Sequence, residues 1–337
     1  MLKFCTLFNS AYLSRGLAMY QSLLEQNNDF HLYILAFDED CFDVLSQLNL
    51  ARVTVISLKE FEDERLLEVK IGRSATEYCW TCASSCLRYC INTYQLDHCT
   101  YIDADLLFFN DPKVLYDEME KAGKSVMITR HRYTPSVDQS STSGIYCVQF
   151  MTFKANKDGM EVLNFWADAC LDWCYARFEE GKFGDQKYLD DWTSRFNCVH
   201  ELEHLGGGVA PWNVQQYAIT KHDGRVRGSE LATGKSFDLV FYHYHAFKYA
   251  WNNSFQLTEN EYPLTRSQVK QIYKPYVDAL SVSEDRIAAL AAGVASYIRT
   301  DEGIWISKVI GRSVSFFIRG FYKQIYAKRF FKYGIFN

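Results

Sequence analysis

An α/β fold is predicted for this 337-residue chain, and three observations predict it. Strand-like and helix-like segments take turns through the first half. Carboxylates and imidazoles gather where apolar runs end, at Asp103 and Asp105 and again at His243 and His245. The composition, 48% hydrophobic and 23% charged, is that of a globular protein with ample core. Alternating elements imply parallel strands joined by right-handed crossovers, and such sheets place ligands beyond the carboxyl ends of their strands.

Leu2–Phe8 reads as the first strand, Leu13–Glu25 as a helix, Phe30–Phe37 as a strand, Cys41–Leu48 as a helix and Val53–Leu58 as a strand. A longer helix over Ala75–Tyr94 leads into the strand end Thr100–Ile102, and Leu106–Phe109 resumes the apolar pattern past a turn. Val126–Thr129 and Ile145–Phe153 are further strands. They are followed by a Trp-rich helix over Gly159–Phe178 and a short helix opening at Gly184-Asp185-Gln186. The loop Leu205–Asn213 holds three consecutive glycines but lacks the strand–helix context of a phosphate loop, so it reads as a mobile active-site loop, with Trp212 and Asn213 toward an acceptor. A strand over Leu239–Tyr242 follows, then helices over Thr265–Leu280 and Ser283–Ile298.

The most loaded stretch is Tyr101-Ile-Asp-Ala-Asp-Leu-Leu-Phe-Phe109. An unpaired carboxylate in a core costs several kcal/mol, roughly, and two of them call for compensation. A divalent cation supplies it, and hard oxygen ligands suit Mg²⁺ or Mn²⁺. The second such stretch is Phe241-Tyr-His-Tyr-His-Ala-Phe-Lys248. His243 and His245 alternate with aromatics and share one side, imidazole is a good Mn²⁺ ligand, and Lys248 offers charge to a phosphate.

The formal charge of −5 argues against a general nucleic-acid binder. Eleven cysteines without a pairing pattern, and a chain that opens directly into a strand, point to free thiols in a reducing cytoplasm. Cys79, Cys82, Cys86 and Cys90 share one helical face and read as small packing residues rather than a metal site. No run of 18 uncharged apolar residues is present, so no membrane span is expected.

Residues 304–337 carry seven Lys or Arg and no acid, which leaves −12 for the rest of the chain. Ile310, Val314, Phe317, Phe321 and Ile325 form an apolar stripe opposite Lys308, Arg312, Arg319 and Lys323. This predicts one basic amphipathic helix lying on a membrane surface. The expected organisation is a catalytic domain over 1–262, a helical extension over 263–303 and the membrane-associating tail 304–337.

These motifs, in this order, resemble the GT-A (Rossmann-like) glycosyltransferases, and family 8 of them in particular, over roughly the first 250 residues. The resemblance implies a mixed central sheet and a nucleotide-diphospho-sugar transferase that takes a UDP-sugar and retains configuration. Asp103 and Asp105 match its Asp-x-Asp metal motif. His243-Tyr244-His245-Ala246 matches in register the segment that carries the third metal ligand. His243 is assigned as that ligand, with His245 as the alternative. Lys248 stands one residue early for the diphosphate lysine, and Ala246 replaces a glycine. Phe8-Asn9-Ser10-Ala11-Tyr12 resembles the uracil-holding turn, with Asn9 where Asp is usual and Tyr12 stacking on the base. Arg88 matches an arginine that contacts the donor, and Asp185-Gln186 a pair beside the anomeric carbon. Thr142-Ser143-Gly144 departs from the usual Asn-Ala-Gly.

The implied chemistry is front-face transfer through an oxocarbenium-like state, with the cation and Lys248 taking up leaving-group charge and Asp185 and Gln186 orienting the sugar. The expected acceptor is a lipid-linked or cell-surface glycan, reached from the inner face of the membrane. A sugar-nucleotide pyrophosphorylase shares the sheet but needs a Gly-rich basic loop after the first strand, which Leu7–Ala11 does not offer. A non-catalytic membrane protein keeping the fold would explain the tail and leave the acids and histidines unemployed.

Overall fold

The computed structural model describes residues 1–251, 253–291, 293–299 and 310–332. Its centre is a seven-stranded sheet ordered β3-β2-β1-β4-β7-β6-β8. These strands are β1 (Leu2–Phe8), β2 (Phe30–Ala36), β3 (Val53–Ser57), β4 (His98–Ile102), β6 (Val126–Arg130), β7 (Tyr146–Lys154) and β8 (Val199–Glu201). The first four run parallel; β7 is antiparallel to both β4 and β6, and β8 is parallel to β6. Helices cover both faces, so β1, β2, β4 and β7 are almost wholly buried along their length instead of alternating between buried and exposed residues.

The helix Ala75–Thr93 begins at a capping box, in which Ser74 and Glu77 satisfy each other's backbone N–H groups. Cys82, Cys86 and Cys90 bury one face of it against the sheet. Cys5 of β1 joins them, its sulfur within 4.8 Å of those of Cys86 and Cys90. Cys79, a turn further toward the helix's start, packs against the same core and also lines the cleft. All eleven cysteines are free thiols.

A short strand, β5 (Leu106–Phe108), pairs antiparallel with β12 (Phe241–His243), with His243 opposite Leu106. This pairing brings two chemically loaded segments, more than 130 residues apart in sequence, to one place. Between them lies an antiparallel meander that the sequence pattern did not suggest: β9 (Tyr217–His222), β10 (Arg225–Glu230) and β11 (Ser236–Asp238). Asp223-Gly224 turns β9 into β10 with positive φ at both residues, the Asp-Gly hairpin signal.

Two helix expectations need correction. The helix after β7 spans Lys157–Asp172 and not residues up to Phe178, because Trp173 is extended and the Tyr175 carbonyl accepts from Gly184 N at 3.0 Å. The expected pair Thr265–Leu280 and Ser283–Ile298 is one helix that ends at Leu290. It starts as Arg266–Gln268, widens into a π turn over Val269–Tyr273 that accommodates Pro275, and continues as Lys274–Leu290. Ser281 and Ser283 do not break it, since their hydroxyls donate back to the carbonyls of Val277 and Ala279.

The tail is not one amphipathic helix. A helix covers Ile310–Arg319 and stops at Gly320, whose φ of +79° favours glycine. Phe321–Tyr322 (β15) and Ile325–Ala327 (β16) form a hairpin that joins β14 (Ser254–Gln256), itself paired with β13 (Lys248–Ala250). Phe330 and Phe331 of the last helix, Lys328–Lys332, are buried in the body's core. Phe321 and Ile325 thus pack inward and leave the stripe, and Lys308 lies outside the described residues. No helix among the described residues is long and apolar enough to cross a membrane.

Candidate active site

A cleft of about 600 Å³ opens beyond the carboxyl ends of β1 and β4. Its floor is the turn after β4. Asp103 follows the strand directly, and its N–H donates to the Gln149 carbonyl on β7 at 3.1 Å. Asp105 precedes β5, and its carbonyl accepts from Tyr244 N at 3.0 Å, tying the aspartate turn to the histidine segment. His243 Nε2 lies 3.1 Å from Asp105 Oδ1 and 3.6 Å from Asp103 Oδ2. One ligand atom from each of the three residues falls within 4.8 Å of the others. His245 lines the same cleft one strand repeat away, with its ring 5.8 Å from that of His243.

The charges explain one another. Burial pushes the Asp103 carboxyl up, and the neighbouring Asp105 adds to that. For Asp105 burial acts the same way, but His243 outweighs it and holds the carboxyl below its usual range. Burial alone would lower His243, yet the two carboxylates raise it well above an ordinary imidazole. Two acids therefore share a pocket that one imidazolium only partly compensates.

The other ring nitrogen of His243 is held by a residue the sequence did not single out. Gln149, fully buried on β7, accepts from Nδ1 at 2.8 Å through Oε1. Two oxygens and one imidazole nitrogen, with the ring fixed from behind, form a donor set that fits Mn²⁺ or Mg²⁺. An ion there would take the place of the proton on Nε2.

Around this floor the other expected residues divide. Phe8 and Asn9 line the wall at the end of β1, and the Phe8 ring packs over Gly16 so closely that a Cβ there would meet it at 2.4 Å. Tyr12 is 39% exposed in the cleft, with the Arg15 guanidinium 4.1 Å from its ring centre. Asp185 is buried at the opposite wall. Burial, then the Asp103 charge, pushes its carboxyl up to about 8. The segment is fixed by Trp166 Nε1 donating to the Asp185 carbonyl at 2.9 Å and by Gln186 Nε2 donating to the Ser143 carbonyl at 2.6 Å. The Thr142–Gly144 turn thus serves as the backing of Gln186.

Arg88 does not join them. Its guanidinium reaches across to Asp168 of the neighbouring helix at 3.5 Å, away from the cleft lining, because its helix turns that face toward Lys157–Asp172. Lys248 lies in β13, with Nζ 3.5 Å from Glu259, also outside the lining. The three glycines are not a mobile loop. They are buried, and a Cβ on Gly206 would stand 2.0 Å from the Asp238 carbonyl oxygen, so close approach to backbone is what requires glycine. Asn213 knots this loop, accepting from Ala210 N and donating to the carbonyls of His131 and Gly208. Trp212 does line the cleft, beside His131, Tyr133 and Tyr262.

No family model matches the chain. It is 30% identical over 278 residues to the uncharacterized protein YfnD of Bacillus subtilis (strain 168), covering 81% of this chain and 87% of that one. It is likewise 30% identical over 285 residues to YfnF of the same strain, covering 82% of this chain and 91% of that one. Among solved structures, an active-site mutant of LgtC superimposes with a TM-score of 0.50 at 10% identity, over 83% of this chain and 96% of that one. The bifunctional glycosyltransferase WbbM superimposes with a TM-score of 0.50 at 12% identity, over 85% of this chain and 51% of that one. These likenesses make the fold GT-A, the α/β fold with a mixed central sheet expected from the sequence.

Proposed function

The chain belongs to the family of YfnD and YfnF, and from that premise and its GT-A fold we propose that it is a metal-dependent glycosyltransferase. In this reading it moves a hexose from a UDP-sugar to a lipid-linked or cell-surface glycan, such as lipopolysaccharide or another polysaccharide, with retention. One observation carries it: Asp103, Asp105 and His243 converge on the floor of a cleft that also holds Tyr12, Asp185 and Gln186.

A bound cation would neutralise charge on the departing diphosphate. The rest falls to the chain's own side chains. Tyr12 offers the nucleobase a ring whose far face is already occupied by Arg15. Asp185 and Gln186 orient the sugar between the aspartates and the opposite wall. A carboxyl pushed up to about 8 can donate a hydrogen bond to a sugar hydroxyl before any cation damps the Asp103 charge. Trp212, Tyr133 and Tyr262 give an acceptor sugar aromatic faces to rest on. Lys248 would need to leave Glu259 to reach a phosphate. The enzyme would work in the cytoplasm, peripheral to the inner face of the membrane. Support for that is the helix Ile310–Arg319, which exposes 82% of Ile310 and 76% of Ile318 beside Arg312 and Arg319.

The test is Mn²⁺-dependent hydrolysis across a panel of UDP-sugars. The wild-type chain should release UDP, and Asp105→Ala should lose about 10²-fold or more in rate with its fold intact. Near-normal hydrolysis by Asp105→Ala removes the metal role. Activity that demands pyrophosphate instead turns the reading toward a pyrophosphorylase.

A further inference from the structure

Outside the cleft, a second cavity of about 360 Å³ lies between the helix Ile310–Arg319, the β15–β16 hairpin and the start of the helix at Arg266. Its walls are Val269, Ile318, Phe321, Tyr326 and Phe330, and its polar atoms come chiefly from two cations, Arg266 and Arg319. Neither guanidinium makes a hydrogen bond or ion pair among the described residues. Residues 310–332 contain no acid to answer them.

The surface beside the cavity has the same character. Phe316 anchors the helix inward against Ile325 and Ala327. Ile310, Val314, Phe317 and Ile318 then form an outward stripe at helical spacing. Ile318 belongs to both the stripe and the cavity wall, so the apolar surface runs without a break into the apolar cavity. Paired, unanswered arginines suit a phosphate, and the aliphatic and aromatic walls below them suit a hydrocarbon chain.

We propose that this groove binds one anionic phospholipid of a bilayer, its phosphate between Arg266 and Arg319 and an acyl chain along Val269, Ile318 and Phe330. The stripe then enters the headgroup region while the bound lipid fixes the helix's rotation. Membrane selectivity thereby comes from a built site and not only from net charge. Lipid capture requires no turnover, so it stands or falls apart from glycosyl transfer.

The full chain is floated with vesicles of phosphatidylcholine alone and of phosphatidylcholine with phosphatidylglycerol. Binding is expected only to the second. Arg266→Gln/Arg319→Gln should weaken it by about ten-fold or more, given the usual contribution of a cation at an anionic leaflet. Lys221→Gln/Lys235→Gln removes the same charge from the exposed β9–β11 meander and should leave most binding in place. Ile318→Ser, which spoils the shared wall, should weaken binding without altering charge. Equal losses from the two double variants overturn the site in favour of diffuse attraction, as does equal flotation on both vesicle types. Concentration-dependent dimerisation abolished by Ile318→Ser would also overturn it, by showing that the groove takes a second copy of the chain. UDP-sugar hydrolysis measured without vesicles should be the same in every variant.

Discussion

His243 Nδ1 donates a 2.8 Å hydrogen bond to Gln149 Oε1, and that contact decides which ring nitrogen faces the aspartates. With Nδ1 committed to the amide, Nε2 is left 3.1 Å from Asp105. A second anchor makes Gln149 a joint between elements, because its own carbonyl accepts from Asp103 N. Gly208 leaves room beside it, since a Cβ there would lie 3.2 Å from Gln149 Nε2.

Gln149→Leu should therefore weaken Mn²⁺ binding by about 10- to 100-fold, the usual cost of losing such a partner. Gln149→Glu keeps an acceptor in the same place and should hold affinity near wild type. Calorimetric titration with Mn²⁺ and UDP reads both. An unchanged affinity in the leucine variant shows that packing alone sets the ring.

The aspartate pair implies a conflict between stability and activity. In the cation-free protein Asp103 is half-buried beside a like charge, and its ionised form is disfavoured. Asp103→Asn removes that repulsion while keeping shape. It should raise Tm at pH 8 without Mn²⁺ and abolish UDP-sugar hydrolysis. The gain should shrink at pH 4, where the native carboxyl is already protonated. A fall in Tm at pH 8 would mean that Asp103 is well compensated without a cation.

How much of this was legible in the sequence follows from what each signal depends on. Strands such as β1 and β2 are short, mostly apolar runs, and their boundaries follow from local residues. Asp103 and Asp105 stood out because acids at the end of such a run have no core role. Gln149 did not, because one amide among Cys147, Val148 and Phe150 looks like an ordinary strand residue until β12 arrives beside it. Arg88 went the other way. Its place before the metal motif suggested a donor contact, but helix phase points it at Asp168. The tail failed at Gly320, where apolar spacing continued across a chain reversal.

His131 gives a pH dependence distinct from that of Asp103, Asp105 and His243. Its ring is buried, stacked on Tyr133 at 4.6 Å, and its Nδ1 has no hydrogen-bond partner. Burial, above all, holds its pKa down to about 3. The unfolded chain takes up a proton near pH 6.5 that the folded chain refuses. Stability should thus fall as pH drops below about 6.5 and level off near 3, by a few kcal/mol, roughly, from this group. His131→Phe keeps the stack and removes the proton. The loss of Tm between pH 7.5 and 4.5 should be smaller in that variant than in wild type. Parallel pH profiles would exclude His131 as a source of acid sensitivity.

The glycine loop offers the sharpest test of architecture. Gly206 carries a carbonyl that accepts from Val240 N at 3.0 Å, immediately before β12, so its position sets the start of the strand that ends in His243. A methyl group on Gly206 would meet the Asp238 carbonyl oxygen at 2.0 Å, and backbone cannot yield as a side-chain tip can. Gly206→Ala should lower stability by about 3 kcal/mol or more and weaken Mn²⁺ binding as β12 shifts. Gly72→Ala serves as the control, because nothing lies closer than 3.9 Å to its Cβ, and its Tm should match wild type. If chemical denaturation finds the two variants equally stable, the loop is loose enough to move aside, and the placement of His243 must depend on β5 alone.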